Sequence, residues 1–186
     1  FIRQARQELL SRKDSLLNDP AEWTGVAKSL WEERKGDDSR LERIQTLRGF
    51  GPLTIAQIEQ LLQLPVPGQG RPNSPIDIAL RVIAIEELVA QSPVDTIMGK
   101  RPPNDVVTDD RAIELLITVA HSETSGAEKL AIASALQRIP ISRRLEVANG
   151  LAKDANYAKD HNLPLMLWYG LIPVAEVVPT GLSRFA

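Results

Sequence analysis

The sequence predicts an all-α protein in which about four pairs of helices stack in chain order as an α-solenoid. Helix-start signals and apolar residues at three-to-four-residue spacing recur along most of the chain, and no stretch alternates as a strand would. Helices with a similar spacing of apolar residues recur at intervals along the chain. Residues 125–179 have the pattern of a helical hairpin followed by one more helix with a distinctive start. We therefore expect residues 1–186 to form a single helical-repeat domain.

Short capping signals mark the expected helix starts. Asp, Ser and Thr offer a side-chain oxygen to the free amides of a first helical turn, and proline is tolerated there because it has no N–H to satisfy. The expected starts are Asp19-Pro20, Ser39, Thr54, Ser74-Pro75, Thr108 or Asp109, Ser125 with Glu128, Ser142, and Asp160 or Asn162. Two Pro-rich stretches, near residues 65–73 and 99–107, interrupt this series and are predicted to be loops.

Four of the expected helices share a small or aliphatic residue that is followed by a leucine on the same face. These leucines are Leu9, Leu47, Leu88 and Leu136, and they stand 38, 41 and 48 residues apart. Helix-pair repeats of the HEAT and armadillo type have periods of about 40–47 residues. Because any amphipathic helix produces part of this pattern, an irregular helical bundle remains the alternative architecture.

Composition excludes several classes of function. The formal net charge of −2 provides no basic surface for a nucleic acid, and no apolar run reaches the roughly 18–20 residues that span a bilayer. The absence of cysteine removes disulfides, thiolate metal sites, a cysteine nucleophile and covalent c-type haem attachment. The two histidines, His121 and His161, would need carboxylates to complete a metal site.

Four residues near the start of the last expected helix are the candidates for an interaction site: His161, Asn162, Trp168 and Tyr169. A neighbouring carboxylate can fix the tautomer of His161, so that this side chain contacts a partner domain or a cofactor. The plainer interpretation is that Asp160 or Asn162 caps the helix and that His161 packs at a repeat junction. Trp168 and Tyr169 are adjacent, so they leave the helix in different directions, and one of them is expected to face a neighbouring module.

The sequence contains little that indicates a catalytic site. A nucleophile elbow of the form Gly-x-Ser-x-Gly is missing, and Gly68 and Gly70 lack the lysine-threonine ending of a phosphate loop. A helical enzyme that uses Asp160, His161 and a distant carboxylate is retained as an alternative. We otherwise predict no catalytic, cofactor-binding or metal-binding residue in this chain.

The last helical hairpin resembles part of a known family. Residues 130–140 (LAIASALQRIP), a second helix, and residues 160–170 (DHNLPLMLWYG) resemble the HEAT-like repeat region of large bacterial membrane-bound dehydrogenases. The resemblance covers residues 125–179 and is weaker over residues 1–124. In that family a β-propeller similar to sorbosone and glucose dehydrogenases precedes the helical region, and a haem-binding cytochrome c domain follows it.

The resemblance implies a role but transfers no site residue. The family's redox chemistry resides in the propeller and in a Cys-x-x-Cys-His haem motif, and neither is found in this sequence. It therefore implies a non-catalytic scaffold within an exported, periplasmic redox protein, with haem c only in the parent protein and neighbouring domains as partners. Because the sequence begins at Phe1, we also expect it to be part of a longer protein. The alternative is an autonomous HEAT-like adaptor that binds a protein or peptide.

Overall fold

Helices make up the secondary structure of every part of the chain that the structure describes. The computed structural model describes residues 2–32, 39–63, 74–95, 109–122, 125–153 and 160–177. Within these ranges all elements are helical, which confirms the all-α class. The predicted loops near residues 65–73 and 99–107 lie outside the described residues.

The chain divides into two compact units, residues 1–54 and residues 55–186. Each unit is described by itself below. The expectation of one continuous repeat domain over residues 1–186 stays a prediction.

The first unit is built around its last helix. Its helices are α1 (Ile2–Ser11), α2 (Lys13–Asn18), α3 (Pro20–Trp31) and α4 (Arg40–Phe50). Helices α1 and α3 pack against α4, and α2 packs against α3. Leu16 and Ile44 are fully buried in this core. The ring of Trp23 lies 4.7 Å from that of Phe50, centroid to centroid, which is a favourable separation for an aromatic pair.

The second unit contains two rows of helices. They are α5 (Ile55–Leu62), α6 (Pro75–Leu88), α7 (Asp110–Ala120), α8 (Gly126–Ala135), α9 (Ile141–Ala152) and α10 (Leu163–Val177), with a 3₁₀ helix (Leu136–Arg138) directly after α8. Helix α8 packs against both α6 and α10, and α7 packs against both α5 and α9. One row is thus α5, α7 and α9, and the other is α6, α8 and α10. Helices that are consecutive in the chain contact each other across the two rows. The apolar faces are thereby buried between the rows.

Side-chain capping hydrogen bonds are found at several of the predicted helix starts. The Asp19 carboxylate accepts hydrogen bonds from the N–H groups of Ala21 and Glu22, both at 3.1 Å. Ser74 with Asp77, and Ser125 with Glu128, form reciprocal capping boxes at the starts of α6 and α8. These bonds satisfy amides that have no partner inside the helix.

Two expected starts differ from the structure. Ser39 occupies the capping position of α4, but its side chain makes no capping hydrogen bond. The expectation that Ser142 begins α9 is wrong by one residue, because the helix begins at Ile141. The carbonyl of Pro140 accepts from the N–H of Arg143 at 3.0 Å, which places Ser142 inside the first turn.

A buried ion pair joins α6 to the start of α8. Arg81 Nε lies 2.7 Å from Glu128 Oε1, and the two side chains are 1% and 0% exposed. The other carboxylate oxygen, Glu128 Oε2, accepts from the N–H of Ser125 at 2.8 Å. One carboxylate therefore caps α8 and neutralises a buried guanidinium, which is the condition under which such charges are tolerated in a core.

Arg144 on α9 forms a second buried junction and is 1% exposed. Its Nη2 donates to the Asp95 carboxylate, which follows α6, at 2.9 Å. Its Nε donates to the carbonyl of Ile139 at 3.1 Å, and its Nη1 donates to the carbonyl of Gly170 on α10 at 2.9 Å. The N–H of Asp95 in turn donates to the carbonyl of Gln137 at 2.7 Å. One guanidinium thus connects four segments of the unit.

Gly150 allows α9 to approach the end of α7 closely. A Cβ atom at this position would lie 2.7 Å from the carbonyl carbon and oxygen of Ala120, which are backbone atoms and cannot rotate away. Gly25 in α3 is the opposite case, since a Cβ atom there would meet nothing within 4 Å.

We expect Gly150→Ala to lower the free energy of unfolding by about 1–3 kcal/mol, because the added methyl group forces the two helices apart. Gly25→Ala is the matched control, and it should raise that free energy by about 0.5–1 kcal/mol because alanine is the better helix former. Urea unfolding followed by circular dichroism measures both changes. An unchanged midpoint for Gly150→Ala would show that α7 and α9 are not in close contact.

Candidate interaction surface

Helix α10 is buried on one side. Leu163, Gly170, Leu171 and Val174 are its buried residues, and their spacing places them on one face of the helix. Helix α10 contacts α8, the 3₁₀ helix and α9. A Cβ atom at Gly170 would lie 2.6 Å from Cβ of Leu136, so the small residue permits this close packing. The buried face of α10 is therefore a well-defined packing surface.

The opposite side of α10 is also apolar, yet it is open to solvent. Leu165, Trp168 and Tyr169 are 47%, 57% and 43% exposed, respectively. They occupy positions i, i+3 and i+4, and the half-buried Ile172 continues the same line at i+7. We call these four residues the outer face of α10. A helix that is apolar all round is typical of a buried element, so an exposed outer face indicates a surface for contact with another molecule or module.

The Asp160 side chain caps the start of α10. Its Oδ1 accepts from the N–H groups of Asn162 and Leu163, both at 2.8 Å. These bonds, from Leu163 first and Asn162 second, lower the pKa of the Asp160 carboxyl below its ordinary value, and the nearby His161 adds a smaller effect in the same direction. Of the two capping residues considered from the sequence, Asp160 supplies the capping side chain. The Asn162 carbonyl accepts from the N–H of Met166 at 2.9 Å.

The four predicted interaction residues fall into two groups. His161 and Asn162 are exposed at the start of α10, and His161 does not pack as a buried residue. Trp168 and Tyr169 are both exposed and lie on the outer face. Leu165 lies on the same face but was not among the predicted residues, although its spacing of three and four residues from the two aromatic residues was the signal that could have identified it.

Pro173 lies inside α10 and changes its backbone hydrogen bonding. Proline has no N–H, so residue 173 cannot donate to the carbonyl of Tyr169, four residues earlier. The carbonyl of the next residue, Gly170, accepts a hydrogen bond from the Arg144 side chain. Arg144 therefore contacts the backbone of α10 directly beside Tyr169.

Two further features of the described ranges lie away from α10. His121 ends α7, with Nε2 at 3.3 Å from the carbonyl oxygen of Glu146 and Nδ1 at 3.2 Å from Nζ of Lys153. These two contacts link the end of α7 to α9 at the surface. A shallow depression beside α1 is lined by residues of that single helix, among them Gln4 and Glu8.

Neither a metal site nor a membrane-spanning helix is found in the described ranges. They contain no group of three or more His, Asp or Glu side chains that could hold a metal ion. Among their helices, none combines the length and apolar character needed to cross a membrane.

Comparison with known proteins adds no family to this picture. No family model, no curated protein and no solved structure matches the chain. The resemblance to the dehydrogenase repeat region therefore stays a prediction, and the outer face of α10 is characterised by its own geometry.

We expect Asp160→Ala to increase hydrogen exchange of the first α10 amides, because two backbone donors lose their acceptor. Asp160→Asn is the matched control, since its amide oxygen can still accept these bonds.

The same cap should depend on pH. The folded-state pKa of Asp160 is lowered from 3.8, so the stabilisation of the α10 start by this carboxylate is present above that pH and is lost as the pH falls through the lower value. Asn162 and Leu163 should lose protection in acid in the wild-type protein but not in Asp160→Asn. Equal acid dependence in both proteins would exclude this capping role.

Proposed function

We propose that this chain is a non-catalytic helical-repeat scaffold that makes a protein contact through the outer face of α10. The observation that supports the proposal is the exposed line of Leu165, Trp168 and Tyr169 on a helix whose opposite side is buried. Large aromatic side chains are enriched at the centres of protein interfaces because they bury much apolar area with few rotatable bonds. Single exposed apolar residues are common on protein surfaces, but a contiguous line of them is not.

The proposal includes an α-solenoid arrangement for the second unit. In a solenoid each helix pair contacts the pairs before and after it in the chain. The contacts of α8 with α6 and α10, and of α7 with α5 and α9, are of this kind and support the arrangement. The HEAT or armadillo type, and the number of about four pairs, rest on the leucine spacing in the sequence.

A narrower form of the proposal assigns the module to an exported redox protein. It is supported only by the resemblance of residues 130–140 and 160–170, which lie on α8 with the 3₁₀ helix and on α10. In that setting the outer face of α10 would contact a neighbouring domain of the same polypeptide. An autonomous adaptor that binds a separate protein is the second candidate, and the exposed aromatic residues of the outer face support it.

Substitutions on the two sides of α10 test whether the outer face is a contact surface or part of the core. We expect Trp168→Ser to change the free energy of unfolding by less than about 0.5 kcal/mol, because its side chain is largely in water. Leu171→Ser on the buried face should cost at least about 2–5 kcal/mol, as truncation of a core leucine does. Urea unfolding of both variants gives the comparison.

Equal destabilisation by the two substitutions would contradict the proposal, since Trp168 would then be a core residue.

The absorption spectrum of the purified chain tests the non-catalytic role. Bound haem or quinone in that spectrum would contradict the non-catalytic role.

A further inference from the structure

We propose that the outer face of α10 receives a single amphipathic helix from a separate partner protein, laid along α10. This inference rests on the proposed function, because it names the partner of the same surface. Its occupant is specified by chemistry: a helix with aliphatic or aromatic residues at positions i, i+3, i+4 and i+7. Four observations favour this occupant over an extended peptide, a second copy of the chain or a lipid surface.

The first observation is the spacing of the outer face. Leu165, Trp168, Tyr169 and Ile172 form a ridge at the three-and-four-residue interval of a helix. Such ridges fit into the grooves between side chains of another helix. An extended peptide instead places its side chains alternately on two sides, and it gains most of its affinity from the edge of a sheet. The ridge therefore matches a helix better than a strand.

The second observation is continuity with the packing inside the second unit. Helix α8 is covered by a helix on each side, α6 and α10. Helix α10 contacts α8, the 3₁₀ helix and α9, and its outer face lies on the side opposite its buried residues. A helix placed there would repeat a contact that the unit already makes between α8 and α10.

The third observation is the area of the outer face. The exposed fractions of Leu165, Trp168 and Tyr169 are 47%, 57% and 43%. For large apolar residues these fractions correspond to on the order of 300 Å² of surface. Two copies joined through this face would bury about 600 Å² in total, which is below the roughly 1,000 Å² expected of a stable dimer. The face is therefore too small for a stable dimer, and the helix contact that we propose is a weak one for the same reason.

Charge disfavours a lipid surface as the occupant. Helices that lie on membranes carry Lys and Arg on their polar side, where these residues meet anionic headgroups. Helix α10 contains no basic residue, and its one charged residue is Glu176. Within α10 itself, the outer face therefore lacks the basic residues that favour binding to a membrane surface.

A displayed peptide library tests the proposal with the full-length chain as the bait. The library contains peptides of 15 residues, the length of α10, in two halves of equal apolar composition. In one half the apolar residues follow helical spacing, and in the other they alternate as in a strand. Binders are then measured against Trp168→Ala and against Leu17→Ala, a control that truncates another apolar side chain, 42% exposed, in the first unit.

We expect the enriched peptides to come from the helical half and to bind Trp168→Ala at least about tenfold more weakly, with little change for Leu17→Ala. Trp168-dependent binders from the strand half would overturn the helix but leave the proposed protein contact intact. The absence of any Trp168-dependent binder would overturn both. A Trp168-dependent dimer in sedimentation would show that a second copy is the occupant, and Trp168-dependent binding to anionic phospholipid vesicles would show that a lipid surface is. Either result would overturn the inference.

Discussion

The buried guanidinium of Arg144 holds together the part of the protein that carries the candidate surface. It pairs with the Asp95 carboxylate and donates to the carbonyls of Ile139 and Gly170. A charge removed from water is destabilising unless it is paired and hydrogen-bonded, so these acceptors must stay in place for the unit to be stable. The position of α10 is therefore set by a polar junction as well as by apolar packing.

This junction gives α10 two different sides. Gly170 packs closely against Leu136, and its carbonyl accepts a hydrogen bond from Arg144. These contacts hold the buried face of α10 against the unit, while Trp168 and Tyr169 on the other side are exposed to solvent. Pro173 removes one backbone hydrogen bond from the same helix, because proline has no N–H to donate. A rigid helix that presents large apolar residues loses little conformational entropy on binding, which favours a contact surface.

Local signals in the sequence predicted much of the secondary structure. The capping box of Ser125 and Glu128 is an example, because both partners lie within one turn and their chemistry suffices to place the helix start. Exposure is not a local property. The apolar pattern of α10 gave no means of telling Trp168 from Leu171, since burial depends on which helices pack on each side. The link from Asp95 to Arg144 spans 49 residues, so no short motif reveals it.

Replacement of Arg144 tests this account most directly, with its sequence neighbour Arg143 as the control. Arg143 forms surface ion pairs with Glu114 and Glu146, and such pairs contribute little to stability. Arg144→Met should lower the free energy of unfolding by about 3–5 kcal/mol and increase hydrogen exchange in α10, because the buried Asp95 carboxylate would lose this ion pair and Gly170 would lose this donor. Arg143→Met should change neither quantity appreciably. Equal effects of the two substitutions on α10 exchange would contradict the central role of the Arg144 junction.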